Sequence, residues 1–158
     1  MGWWGCDIMD GDTPLDLQAD LCEVVRRRFP NAFKEADEDW KIDEVSLLTK
    51  EHLDACQQDF IDELNNTEQW YDGWAQQIFG HVWAWHVMRL GAEMTNGMRK
   101  NFLRYAMEDA WAKEVGKSDR ASCCLIFANR IRDYDGTPTE GEQKGLFGSI
   151  AEKLAGNQ

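Results

Sequence analysis

Apolar positions recur at intervals of three and four residues along most of this chain, the spacing of helices with one buried face. Asp12-Thr13-Pro14 marks a first helix start: Thr13 can cap the free amides and Pro14 suits the first helical position. Leu17, Leu21, Val24 and Val25 then share a face, and Pro30 ends the segment. Residues 31–45 read as an irregular acidic stretch anchored by Phe33, Trp40, Ile42 and Val45, with room for a short strand at Trp40–Ile42. Thr49 caps a second helix carrying Leu53, Cys56, Phe60 and Leu64, which stops at Asn65-Asn66.

The longest helical pattern runs from Thr67 to about Met94. Trp70, Trp74, Ile78 and Val82 form one stripe; Trp83, Val87, Leu90 and Met94 form another. A helix apolar on so many sides belongs at the centre, and Gly80 and Gly91 within it allow close approach of a neighbour. After Asn96-Gly97 a fourth helix is expected over Met98–Val115, presenting Met98, Phe102, Tyr105, Met107, Ala110 and Trp111. Ser118 begins a fifth, with Cys124, Phe127, Ala128 and Ile131 inward. Asp135-Gly136-Thr137-Pro138 is a turn, and a last helix is expected from about Thr139 to Leu154. With no repeat, low-complexity tract or long linker, residues 1–158 predict a single mostly α domain. Its architecture is a compact bundle of five or six helices around the Trp-rich segment 67–94.

Composition agrees with a folded chain: 43% hydrophobic and 29% charged residues, and length enough for a substantial core. Eight tryptophans, each able to bury roughly 200 Å², are expected to dominate that core. No apolar run reaches the ~18 residues of a membrane span. The start MGWWGCDIMDGD lacks the basic and apolar regions of a secretory signal, and Cys6 stands where a myristoylation motif needs Ser or Thr. The five cysteines (Cys6, Cys22, Cys56, Cys123 and Cys124) are odd in number and contain no C-x-x-C. Reduced thiols and a cytoplasmic location are the expectation.

Charge changes the picture most. Residues 1–66 hold 17 acidic against 6 basic residues, and residues 67–158 hold 12 against 11, so nearly all of the net −12 lies in the first part. Such a balance argues against direct nucleic-acid binding, which needs a basic surface. Glu35, Asp37, Glu38, Asp39, Asp43 and Glu44 surround Trp40. An acidic cluster about an aromatic suits a basic protein partner, the charges raising the on-rate and the ring supplying contact energy. The alternative reading of the same stretch is a solvated face.

Candidate chemistry is sparse. Asp7, Asp10, Asp12 and Asp16 offer carboxylates that a hard cation would take, although the spacing is not that of an EF-hand loop. Asp12 and Asp16 equally suit a helix N-terminus, where the macrodipole favours anions. Of His52, His81 and His86, the last two are five residues apart and so on different helix faces; His86 with Glu93 could form an acid–base pair. No nucleophile elbow, P-loop or dinucleotide fingerprint occurs, and no cofactor is implied. Arg120 precedes Cys123 and Cys124 closely enough to lower a thiol pKa. The piece Gly145–Gly156 has the look of a membrane-active peptide, but its balanced charges favour a closing core helix and no membrane partner.

The opening Met1-Gly2-Trp3-Trp4-Gly5, followed by Asp10-Gly11-Asp12-Thr13-Pro14-Leu15-Asp16, resembles the start of domain-of-unknown-function family 4259 of bacteria and phages. Members tend to begin Met-Gly-x-Trp-Gly and continue Asp-Asn-Asp-x-Ala-x-Asp; here Gly11 replaces the Asn and Pro14 the Ala. The resemblance spans about the first sixteen residues. It implies a small acidic helical cytosolic protein without an assigned activity, and carries over no catalytic residues. The expectation is therefore a non-enzymatic acidic binding module of phage anti-defence, toxin-immunity or nucleic-acid-mimic type. The alternative is a small metal-dependent or acid–base enzyme using the Asp7–Asp16 loop or His86.

Overall fold

A computed structural model of the chain describes residues 8–9, 12–66, 68, 70, 73–113 and 118–139. Helix accounts for 71% of the described residues, and none of them forms a strand. The α-helices are α1 (Asp12–Arg28), α2 (Lys34–Glu38), α3 (Lys50–Ala55), α4 (Gln57–Asn65), α5 (Gly73–Leu90), α6 (Asn96–Met107) and α7 (Ser118–Asp133), with a 3₁₀ turn over Glu44–Leu47. The helix expected over 139–154 lies, from residue 140 on, outside the described residues, as does most of the opening motif.

The centre is α5, as the double stripe predicts. Every residue from Ile78 to Met88 is buried, because α1 packs on one side of the helix and α6 on another, while α7 lies against α6. Trp83 meets Phe60 of α4 at 5.1 Å between ring centroids and Phe102 of α6 edge-on at 4.9 Å. Gly80 permits the approach of α6: a Cβ there would overlap the Tyr105 ring. The helix is shorter than the pattern suggests. Trp70 precedes it and donates its indole N–H to Glu63 O at 3.0 Å, closing the end of α4. At the far end Gly91 turns to φ +69°, a left-handed conformation suited to glycine, so Met94 is outside the helix.

Local capping sets several boundaries. Thr49 Oγ1 accepts from His52 N while His52 Nδ1 accepts from Thr49 N, a reciprocal cap on α3. Thr95 caps α6 through Met98 N. The segment expected as one helix over 49–66 is two, because Cys56 (φ −97°, ψ 10°) ends α3 and begins α4. Helix α6 stops at Met107 rather than Val115. Gln77 of α5 takes the next turn's backbone groups, donating to Glu108 O (2.8 Å) and accepting from Ala110 N (3.1 Å). Ala110 and Met107 consequently face solvent, and Trp111 is half-buried. No strand forms at Trp40–Ile42, which is a turn and bend; α2 occupies part of the stretch read as irregular.

Candidate functional site

The C-terminal end of α1 organises the acidic region. The last turn of α1 carries Arg26, Arg27 and Arg28; Arg26 reaches the α2 and 3₁₀ segment, while Arg27 and Arg28 both reach α4. Arg26 binds Glu23, Asp37 (3.2 Å) and Glu44 (2.9 Å) and lies over the Phe33 ring. Arg28 grips Asp59 of α4 with two nitrogens, at 2.7 and 3.2 Å, and holds that carboxyl below its usual range. Arg27 reaches Glu63 of α4 at 3.1 Å. Of the six acids around Trp40, Asp37 and Glu44 meet Arg26 and Glu38 lies 3.9 Å from Lys34, and all but the half-buried Glu44 are exposed. Asp39 and Asp43 also fix the loop, accepting from Lys41 N and Val45 N.

Trp40 is not the core anchor that the sequence suggests. Its side chain is 88% exposed, with Lys41 Nζ 5.9 Å from the ring centre, while Phe33 takes the buried position in this stretch.

The other candidates separate. Asp7 and Asp10 lie outside the described residues, as does the side chain of Asp12; Asp16 is exposed on α1. Among the described residues no group of three or more His, Cys, Asp or Glu is placed to hold a metal. His86 does not pair with Glu93. Its Nδ1 accepts from Arg89 Nε (3.2 Å) and its Nε2 faces Gln18 Oε1 at 2.8 Å, the arrangement of a neutral Nε2–H imidazole. Burial, with Arg89 beside it, pushes His86 well below the ordinary value of 6.5. Glu93 is exposed beyond α5, accepting from Gln57. The imidazole is buried with both nitrogens engaged, and among the described residues no carboxylate bonds to it. The thiols of Cys22, Cys56, Cys123 and Cys124 are all buried and unbridged; burial raises Cys22 to about 12 and Cys56 to about 11.

Spacing gave no warning of one charged node. Asp109, just past α6, receives Arg120 of α7 (2.9 and 3.3 Å), Ala112 N (2.9 Å) and His81 Nε2 of α5 (2.9 Å), and the side chains of the Asp109–Arg120 ion pair and of His81 are all sealed from solvent. These bonds hold the Asp109 carboxyl far below its usual range despite its burial. His81 lies 28 residues from Asp109, a contact created by packing. The node ties three elements and exposes no reactive atom.

Comparison of the chain with family models, with curated proteins and with solved structures finds no match. Among the described residues no helix is long and apolar enough to cross a membrane.

Proposed function

We propose that the protein is a non-enzymatic acidic binding module whose α2 loop surface engages a basic protein partner. The observation that carries this reading is the exposure of Trp40. A tryptophan can bury roughly 200 Å² or more, so leaving its ring in water gives up one of the largest contributions a side chain can make to its own core. In a partner interface the same ring becomes an anchor. Glu35, Glu38, Asp39 and Asp43 around it provide the field that steers a basic surface. Inhibitors of host defence, toxin-immunity proteins and nucleic-acid mimics all act through surfaces of this kind, and the likeness of the first sixteen residues to family 4259 points to a bacterial or phage setting.

The test is capture from bacterial lysate by wild type and by Trp40→Ala, in low and high salt. A basic protein held by wild type, released by salt and lost from the folded variant supports the reading. Equal recovery by both forms removes Trp40 as the anchor and reduces the loop to a solvated face.

A further inference from the structure

The cleft between α1 and α4, about 630 Å³, is lined by Arg27 and Arg28 on one side and Asp59, Asp62 and Glu63 on the other. Its two ion pairs are unequal. Arg28 and Asp59 are locked by two bonds, but Glu63, with a side chain only 8% exposed, meets a single nitrogen of Arg27, which is itself 65% exposed. A carboxylate drawn that far out of water is costly without a cation, and this one is served by a long side chain reaching in from solvent. The arginine of this pair lies mostly in solvent and is held by one nitrogen, so it can be exchanged for another cation, while the buried carboxylate keeps its need for one. Among the described residues Asp62, at the rim, accepts only a neutral amide, from Gln58 at 2.8 Å. The field beyond is negative as well: burial first, then Glu63, Asp16 and Glu23, raises the Asp20 carboxyl above its ordinary value. The chain's own guanidinium groups show which cation these carboxylates accept.

We infer that this cleft receives an arginine side chain of the basic partner, which takes the place of Arg27 against Glu63 with Asp62 closing over it. A planar guanidinium can bridge two carboxylates at once, which an ammonium does less well. The identity of the supplier rests on the function proposed above; the chemistry of the cleft does not.

The experiment titrates Nα-acetyl-arginine amide into ¹⁵N-labelled full-length protein, with the norleucine analogue as neutral control. The Trp70 indole N–H, bonded to Glu63 O, reports on the cleft, and the Trp40 indole on the loop. The Trp70 signal should move saturably with the arginine probe alone. Arg27→Ala, which removes the internal competitor, should tighten binding about two- to fivefold or more, the worth of an ion pair whose arginine is largely solvated. Glu63→Gln should weaken it about tenfold or more, as loss of a charged hydrogen bond does. If that variant does not fold, the exposed Asp62→Asn should still weaken binding, by about two- to fivefold. No saturable Trp70 shift in Arg27→Ala, or binding indifferent to Asp62→Asn and Glu63→Gln, overturns the inference. The two readings fail separately: a cleft that takes arginine while Trp40→Ala leaves partner capture intact sinks the loop surface alone, and the reverse sinks the cleft alone.

Discussion

His81 and His86 make the native state sensitive to acid. Burial lowers both below 6.5, so the unfolded chain takes up protons near that value which the folded chain refuses. Stability is therefore complete above about pH 6.5 and falls by up to about 1.4 kcal/mol per histidine for each pH unit below it. Asp109 has the opposite chemistry and the same consequence. Its depressed pKa contributes stability above the unfolded value of about 3.9, and this is lost as pH falls further toward the folded value. Urea unfolding at stepped pH should show a first decline between about pH 6.5 and 5 and a second below about pH 4. His86→Gln should flatten the first; an unchanged profile would mean that His86 titrates freely. Size dominates elsewhere. Trp83, buried between Phe60 and Phe102, should cost about 3–5 kcal/mol on replacement by Ala, whereas the half-buried Trp74 should cost less. Denaturant midpoints of the two variants, falling in the reverse order, would contradict the packing around α5.

At the level of the helices, the tightest approach is the α5–α6 crossing at Gly80. Alanine is the better helix former by about 1 kcal/mol, yet its methyl would meet the buried ring of Tyr105. Gly80→Ala should therefore lose about 1–3 kcal/mol, measured by thermal melting; a stabilised variant would mean that the ring moves freely. Helix ends were legible where the cause is local. Pro30 stops α1, Thr49 caps α3, and an apolar surface on every side marks α5 as central. They were illegible where a distant side chain decides: Gln77 ends α6 from 31 and 33 residues away. The candidate surfaces divide in the same way. Trp40 and its acids stand together in the sequence, so that patch can be read directly, whereas sequence alone does not separate the exposed Trp40 from Phe33, which takes the core position. The cleft joins residues 31 and 36 positions apart, and no spacing rule links Arg27 to Glu63 or Arg28 to Asp59.

For the molecule as a whole, burial silences the thiols of the described residues. Burial pushes the Cys22 thiol up to about 12, so it stays protonated at neutral pH. The cysteines of the described residues should react with a thiol reagent only as fast as the protein opens, and rapid labelling of Cys22 or Cys56 in the native state would refute their burial. The Asp109 node has a consequence for descent as well. Losing one partner of a buried ion pair costs about 3–5 kcal/mol, a large part of the stability of a domain this size. Replacing a whole buried ionic group with apolar residues of similar volume is often neutral or better. Single changes at Asp109 or Arg120 thus lead downhill while the joint change need not, so a lineage that has acquired this pair tends to keep it.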